Sequence, residues 1–396
     1  MTSTVDEGSV PRSSVPPRIP RPTPAPLAVS PRVEALRADP STVDDFWAGV
    51  PATPLVEPGP DGDVLLTFLW RERRPTHAVL ALVNKLTDRH DLAASSMARV
   101  PGTGVWHLTY RVRDDWLGSY QLAPDEGDTP ADLRDLAARG IPDPRNPDRL
   151  PPARSVAAAP GADRPEWWRP RPGTPAGALD TVTVDDRRVW RYAPPGYDAA
   201  AGPYPLLVLL DGDVWGPALP VAPMLDNLIA AGLLPPLVAL LPDSVDRPTR
   251  FTEYACQAST VEFLCRLPVL CGLNVTADPA RTVVAGQSLG GLMAAFAGLL
   301  APWRFGAVLA QSGAFWWPST GEPERLTRSY AVVDRRDLRF HLEVGLDEWV
   351  NVGPNRRLRD ILVEGGYPVT YAEFAGGHDR ACWRERLPAA LIGLYA

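Results

Sequence analysis

The chain has 396 residues, of which 45% are hydrophobic, so it can form two globular domains with sizeable cores. Its formal net charge of −7 at pH 7 argues against nucleic acid or an anionic membrane as a partner. The longest apolar runs are too short to cross a bilayer. The four cysteines form no CxxC pair and no His–Cys cluster, which predicts free thiols, no zinc site and a soluble cytoplasmic protein.

The first 35 residues are rich in proline and contain no apolar run, so they are not expected to be a secretory signal. Such a segment cannot bury enough apolar surface to offset the entropy of ordering it, which predicts a disordered tail over residues 1–35. Residues 36–125 then contain short segments in which apolar and polar residues alternate. Because turn residues separate these segments, they predict a small antiparallel β-sandwich. The segments lie at 63–71, 77–84, 104–112 and 118–124.

Residues 126–175 are rich in Pro, Asp and Arg and are predicted to be a linker that lies along a surface. The pattern changes over residues 176–396, where continuous apolar runs alternate with helical segments. This alternation predicts a parallel sheet covered by helices on both faces, hence an α/β domain. The runs lie at 204–212, 234–243, 281–288, 305–313 and 339–345.

The sequence GQSLGG (286–291) contains a serine, Ser288, at the junction of an apolar strand and a helix of small residues. A nucleophile elbow requires this context, because the serine must be held in a sharp turn between a strand and a helix. The glycines on either side leave room for the crossing of strand and helix. The sequence therefore predicts an α/β-hydrolase fold for the C-terminal domain, with Ser288 as the nucleophile.

In this fold the catalytic acid and then the histidine follow the serine along the chain. His378 lies on a glycine-rich loop after the strand-like segment 368–374, at the sheet edge where catalytic residues gather, and is predicted to be the general base. The acid should follow the apolar run at 339–345, where Asp347 and Glu348 are both candidates and Glu348 is preferred. Either carboxylate would orient the imidazole and stabilise its charged form.

An oxyanion hole needs two backbone donors that point at the reacting carbonyl oxygen. One predicted donor is the amide of Leu289, directly after the nucleophile. The other is the amide of Gly212 or Asp213, in the loop after an early strand. A simple tight turn is the alternative interpretation of that loop.

Several motifs together resemble the ferric enterochelin (enterobactin) esterases, over about residues 40–395. The more specific parts are the two-domain layout and the GGHD-x-x-x-W ending. The C-terminal motifs are LLDGDVW (209–215), GQSLGGLMA (286–294), SGAFWW (312–317), LEVG (342–345) followed by an acid, and GGHDRACW (376–383). The N-terminal motifs are TFLWR (67–71), ARVPGTGVWHLTYRV (98–112), WLGSY (116–120) and DPRNPD (143–148).

The resemblance implies hydrolysis of the ester bonds of a macrocyclic tri-catecholate siderophore inside the cell. Iron would arrive in the substrate, and the protein itself would carry no cofactor. The family's Arg-x-x-Glu pair is matched by Arg250 and Glu253. A guanidinium at Arg250 could neutralise and stack on the flat, charged ferric complex, and Trp215 and Trp316 could form aromatic walls.

The N-terminal domain shows no catalytic constellation of its own. Arg99 and Trp106 are candidates to cover the pocket, but a structural or dimer-forming role is preferred, which leaves a homodimer open. Two other functions use the same residues. The triad could act on another ester, such as a feruloyl or sugar ester, or transfer its acyl group. A ligand-binding protein without catalytic activity is the alternative of a different class, and the complete set Ser288, His378 and Asp347 or Glu348 argues against it.

Overall fold

The computed structural model describes residues 10–396, in which the chain forms an N-terminal β-sandwich and a C-terminal α/β domain. The elements of the first part are α1 (Pro31–Ala38), α2 (Val43–Ala48), β1 (Leu55–Pro58), β2 (Val64–Arg71), β3 (Ala78–Val83), β4 (Ala98–Val100), β5 (Val105–Val112), β6 (Leu117–Asp125), α3 (Leu133–Ala137), β7 (Arg149–Leu150) and β8 (Arg154–Ala158). Those of the second part are β9 (Ala178–Val184), β10 (Arg187–Ala193), β11 (Leu206–Leu209), α4 (Ala222–Ala230), β12 (Val238–Pro242), α5 (Arg247–Glu253), α6 (Ala258–Leu270), β13 (Thr282–Gln287), α7 (Leu289–Leu300), β14 (Ala307–Gln311), α8 (Arg325–Val332), β15 (Arg339–Gly345), α9 (Val352–Glu364), β16 (Val369–Phe374) and α10 (Arg380–Tyr395).

The sandwich consists of two four-stranded antiparallel sheets, ordered β1-β2-β5-β4 and β3-β6-β8-β7. Alternate residues of each strand point between the sheets and form one core, which includes Phe68 and Tyr110 from the first sheet and Val79 and Tyr120 from the second. Phe68 meets Tyr120 edge-on, with ring centroids 4.7 Å apart. The predicted β-sandwich is confirmed, because the period-two pattern places one face of each strand in this core.

The C-terminal domain is built on an eight-stranded sheet ordered β16-β15-β14-β13-β11-β12-β10-β9. Strands β11 to β16 are parallel to their neighbours within this set, and β9 and β10 extend the sheet as an antiparallel hairpin. In β11, Leu206 and Val208 belong to one core while Leu207 and Leu209 belong to the other, so both faces are covered. The predicted α/β architecture is confirmed. Among residues 10–396, the helices are too short or too polar to cross a membrane.

The chain from Val10 onward lies against both domains, so the predicted disordered tail over residues 1–35 needs correction there. The amide of Ala28 donates to the carbonyl of Thr109 at 3.0 Å, and Trp349 donates its indole N–H to the carbonyl of Ile19 at 2.9 Å. Residues 1–9 lie outside the described part. Val33 is buried in a small core, but Ile19, Leu27 and Val29 stay exposed, and the rest of the segment is held mainly by hydrogen bonds. Its low apolar content is why the composition suggested disorder.

The predicted linker over residues 126–175 also needs correction, because strands β7 and β8 within it complete the second sheet of the sandwich. Helix α3 and the bridge of Ile141 to Leu122 pack on the sandwich as well, and it is the stretch around residues 167–169 that lies against the C-terminal domain. Trp168 is buried and donates its indole N–H to the carbonyl of Arg384 in α10 at 2.9 Å. These two strands are short and are separated by prolines, so the sequence shows too little alternation of apolar and polar residues to predict them.

Candidate active site

Ser288 lies in the turn between β13 and α7 with φ 59° and ψ −121°, a backbone conformation that non-glycine residues rarely adopt. Its amide donates to the carbonyl of Gln311 at 3.0 Å, which anchors the turn to the neighbouring strand β14. A Cβ atom on Gly286 would lie 2.4 Å from the backbone of Gly290, so this crossing of strand and helix requires glycine. This is the geometry of a nucleophile elbow.

Glu348 follows β15 and is completely buried, with donors around both carboxylate oxygens. Oε1 accepts from Ser312 Oγ at 2.5 Å and from the amide of Gly345 at 2.9 Å, and Oε2 accepts from Asn351 Nδ2 at 2.7 Å. His378 Nδ1 lies 2.6 Å from Oε2.

Burial by itself would raise the pKa of the Glu348 carboxyl. The attraction of His378 and the hydrogen bonds from His378, Ser312 and Asn351 outweigh burial and hold this pKa below its usual value. The carboxylate is therefore ionised at neutral pH and can stabilise an imidazolium beside it.

The His378 imidazole is held on two sides by the protein. Its Nδ1 edge faces Glu348, and its ring packs edge-on against Trp383 with centroids 4.8 Å apart. Trp383 in turn donates its indole N–H to Ser312 Oγ at 2.8 Å, so this ring is fixed as well. Nε2, on the opposite edge of the imidazole, is left for proton transfer, and the side chain is 26% exposed.

Asp347, the neighbour of Glu348, is directed to other partners. Its carboxylate accepts from Trp116 Nε1 at 3.0 Å and forms an ion pair with Arg21 at 3.1 Å. Both partners belong to the N-terminal part of the chain. Of the two candidate acids, the structure therefore brings Glu348 to His378 and uses Asp347 as a contact between domains.

Ser288 and His378 line the same cavity, which has a volume of about 540 Å³ and lies between the two domains. The C-terminal domain contributes the loop after β11, the serine turn, helix α5 and the histidine loop. The N-terminal domain contributes residues from three separate places, namely Asn84, Ser119 and a turn that supplies residues 150–152 and Arg154.

The predicted oxyanion donors lie on two neighbouring loops, because β11 pairs directly with β13. Gly212 is packed so closely on β12 that a Cβ would lie 2.1 Å from the carbonyl oxygen of Leu241, which explains the glycine. Asp213 lines the cavity, and its carboxylate accepts from Ser244 Oγ at 2.7 Å. Leu289 is the first residue of α7, so its amide has no acceptor within the helix and is available to a ligand.

Arg250 lines the cavity, but its charge is balanced inside the protein. Nε and Nη2 bind the two carboxylate oxygens of Asp211 at 2.5 and 2.8 Å. Burial alone would lower the pKa of this guanidinium, and Asp211 raises it instead. Glu253 pairs with Arg187, so the two residues of the Arg-x-x-Glu motif do not pair with each other.

The two tryptophans predicted to contact substrate have different surroundings. Trp215 lines the cavity while its indole N–H donates to Gln287 Oε1 at 2.9 Å. Trp316 is buried in the core on one face of the large sheet and is not part of the cavity wall. The prediction that Trp316 forms an aromatic wall needs correction, because the turn after β14 directs this side chain into the domain.

Three residues of the N-terminal domain that the sequence did not point to reach the site. Asn84 Nδ2 donates to the carbonyl of His378 at 3.0 Å, and the amide of Ser119 donates to Asp379 Oδ2 at 2.5 Å. Arg154 lines the cavity itself. These positions lie far from the histidine in sequence, so no local sequence pattern predicts that they contact the active site.

Arg99 and Trp106, which were candidates to cover the pocket, bind Glu72 outside the cavity wall instead. Ser312 was also missed, although its place directly after β14 at the carboxyl edge of the sheet was a usable signal.

The doubly covered parallel sheet, the serine turn and the Glu348–His378 pair define an ester hydrolase of the α/β-hydrolase type. Residues 65–168 match the family model described as enterochelin esterase, N-terminal, and residues 181–394 match that of a putative esterase. The iron(III) enterobactin esterase of Dickeya dadantii is 34% identical, over 90% of this chain and 94% of that protein. The chain belongs to the enterochelin esterase family.

Other relatives agree over both domains. The iron(III) enterobactin esterase of Escherichia coli K12 is 35% identical, over 83% of this chain and 91% of its own. The crystal structure of the ferric enterobactin esterase of Salmonella typhimurium superposes with a TM-score of 0.77 at 32% identity, covering 89% of this chain and 98% of that one. The enterobactin esterase of Shigella flexneri, crystallised in the presence of enterobactin, has a TM-score of 0.76, also at 32% identity, covering 89% of this chain and 98% of that one.

Proposed function

We propose that this esterase hydrolyses the ester bonds of a ferric enterobactin-like catecholate siderophore and so releases iron inside the cell. Relatives that are similar over both domains are iron(III) enterobactin esterases. The observation that carries the proposal is a cavity in which Ser288 and the Glu348–His378 pair meet three arginines, Arg154, Arg247 and Arg380, none of which forms an ion pair with the four aspartates of the wall. Such a cavity suits an ester that is also an anion.

In the proposed first step, Ser288 Oγ attacks the ester carbonyl while its proton passes to Nε2 of His378. Glu348 holds the imidazole by Nδ1 and stabilises its positive charge. The amides of Leu289 and of Gly212 or Asp213 hold the negative oxygen of the tetrahedral intermediate. The intermediate collapses to an acyl-enzyme when the ester C–O bond breaks, and His378 gives its proton to the leaving alkoxide.

In the second step, water attacks the acyl-enzyme. His378 takes a proton from the water, and Ser288 leaves as its alkoxide and recovers that proton. The products of each cycle are one carboxylic acid and one alcohol. These steps use only side chains and backbone amides of the protein, and we propose that iron takes part as cargo of the substrate and not as a resident cofactor.

All four cysteines are free thiols, as expected in a reducing compartment, which supports the proposed cytoplasmic location. Fractionation of cells that produce the protein would test this location. A homodimer stays a prediction, and light scattering of the purified protein would test it.

The function is tested by incubating the purified protein with ferric enterobactin, with iron-free enterobactin and with a feruloyl ester, followed by mass spectrometry of the products. We expect products that have gained one water per ester bond cleaved, from the siderophore and at a much lower rate from the feruloyl ester. If the protein cleaved the feruloyl ester faster than the siderophore, a feruloyl ester would be assigned as its substrate instead. Failure to cleave any of them, together with no labelling of Ser288 by a fluorophosphonate probe, would favour a ligand-binding protein without catalytic activity.

A further inference from the structure

Arg154 is a cation that the N-terminal domain places in the wall of the active-site cavity. It begins strand β8, and its half-buried side chain lies over the neighbouring strand β6. Nε donates to Ser119 Oγ at 2.7 Å and Nη1 donates to Gln121 Oε1 at 3.3 Å. Both acceptors are neutral, so these contacts fix the direction of the guanidinium without balancing its charge.

Within residues 10–396, Arg154 forms no ion pair closer than 4.0 Å. Burial lowers the pKa of its guanidinium, the nearby carboxylate of Asp379 raises it, Arg89 lowers it further, and the net direction is downward. A guanidinium stays charged at neutral pH in any protein, so Arg154 is a partly desolvated cation that has the carboxylate of Asp379 nearby but none in direct contact. An anion that entered the cavity would supply the missing charge.

The other charges in the cavity wall are already engaged or exposed. Arg250 is balanced by Asp211, whereas Arg247 and Arg380 are exposed, where water weakens an ion pair. Of the acids of the wall, Asp211 is paired with a cation, Arg250. Asp213, Asp246 and Asp379 accept hydrogen bonds from neutral donors, namely Ser244 Oγ and the amides of Thr249 and Ser119, and none of the three forms an ion pair with Arg154. Arg154 is thus the half-buried cation of the wall with the greatest need of an external anion.

We propose that Arg154 is a specificity-determining residue that binds the deprotonated catecholate oxygens of the metal-bound siderophore and so makes the enzyme prefer the ferric form to the iron-free form. The inference rests on the proposed function. Iron deprotonates the catechol hydroxyls that it binds, and the negative oxygens outweigh the charge of the ferric ion. The iron-free ligand keeps its catechol protons at neutral pH and offers Arg154 no comparable charge.

The test compares hydrolysis of ferric and iron-free enterobactin by the full chain and its Arg154→Gln variant. We expect the ferric KM to rise about 10- to 100-fold in the variant, as for loss of a charge-assisted contact, with kcat changed less than about threefold. The kinetic constants for the iron-free form should change less than about threefold. Arg154→Lys should keep most of the preference for the ferric form, and high salt should weaken that preference in the wild type.

Arg149→Gln is the matched control, because Arg149 binds Ser155 Oγ in the same sheet and lies outside the cavity wall. Binding without turnover is measured by quenching of tryptophan fluorescence, in which the dissociation constant of ferric enterobactin for Ser288→Ala is compared with that for the double variant Ser288→Ala, Arg154→Gln. The double variant should bind about 10- to 100-fold more weakly.

Equal losses for both forms of the substrate, or no loss for the ferric form, would overturn the role of Arg154 and leave the proposed function standing. A wild-type protein that cleaves neither form would overturn the proposed function and, with it, the role of Arg154 in binding the catecholate oxygens. Thermal unfolding of each variant shows whether a loss reflects misfolding. If Arg154→Gln unfolds, Arg154→Met, which keeps the apolar stem without the charge, provides the same comparison.

Discussion

The two domains build the active site in different ways. The C-terminal domain holds its reacting groups on strand ends and tight turns, where Glu348 is completely buried and accepts hydrogen bonds at both oxygens. The N-terminal domain reaches the same cavity with single groups, the side chain of Asn84 and the amide of Ser119, which hold the histidine loop at the carbonyl of His378 and the carboxylate of Asp379. The comparison teaches that the chemistry is concentrated in one domain while the placement of the histidine depends on both.

The largest effect is expected for Ser288→Ala, which removes the reacting hydroxyl from the C-terminal domain. Turnover of enterobactin should fall by about 10⁴- to 10⁶-fold, because no other group can form the acyl-enzyme. Binding of the ferric siderophore, followed by tryptophan fluorescence, should stay within about threefold of the wild type. Ser329→Ala changes a partly exposed serine of α8 outside the cavity wall and serves as the control. A variant that turns over at the wild-type rate would show that Ser288 is not the nucleophile.

The adjacent acids Asp347 and Glu348 offer the sharpest test of the comparison, since one contacts the N-terminal part of the chain and the other contacts His378. Glu348→Gln should lower kcat by roughly 10²- to 10⁴-fold, because the neutral amide cannot stabilise the imidazolium. Asp347→Asn should lower kcat less than about threefold and should lower the melting temperature, since it weakens contacts between the domains. The reverse pattern, with the larger loss of kcat in Asp347→Asn, would exchange the roles of the two acids.

A smaller effect is expected for Asn84→Ala, which removes a contact of the N-terminal domain with the carbonyl of His378. Asn84 is a positioning residue, so we expect kcat to fall about 3- to 30-fold with KM almost unchanged. Asn84→Gln, which keeps an amide donor, should recover part of the rate. Asn274→Ala removes a similar contact with a carbonyl on the surface and is the matched control. An increase in KM alone would instead make Asn84 a substrate contact.

Much of the C-terminal half of the site could be predicted, because its signals are local. The apolar runs became β11 to β15, and one short motif contains Ser288 together with the glycines that its turn requires. The choice between Asp347 and Glu348 needed coordinates, since neighbouring residues on a turn can point in opposite directions and the sequence does not say which one faces the histidine.

The N-terminal contributions could not be predicted in the same way. Asn84 and His378 are 294 positions apart, and no repeat or spacing connects them. Composition also misled over the first 35 residues, where proline suggested disorder although Arg21 and Ile19 contact the loop that contains Asp347 and Trp349. Local pattern thus identified the reacting groups, and only tertiary structure identified the residues that position them.

The smallest effect tests whether the buried carboxylates of the C-terminal domain make its stability dependent on pH. Burial would raise the pKa of Glu343, but His341, Arg386 and Gln311 outweigh it and hold that pKa below its usual value of 4.5. A carboxyl with a lowered folded-state pKa stabilises the fold above its unfolded-state pKa, and this contribution is lost as pH falls through the folded-state value. The free energy of unfolding should therefore decrease as the pH falls below about 4.5.

Urea unfolding at a series of pH values, followed by tryptophan fluorescence, measures this dependence. Glu343→Gln should be less stable than the wild type at pH 7, because Arg386 loses its anionic partner. Its stability should also change less between pH 7 and pH 3, because the titrating group is gone. The exposed Glu364→Gln should keep the wild-type slope. If Glu343→Gln kept that slope as well, the acid sensitivity would lie with other carboxylates, such as the buried Asp143 of the sandwich.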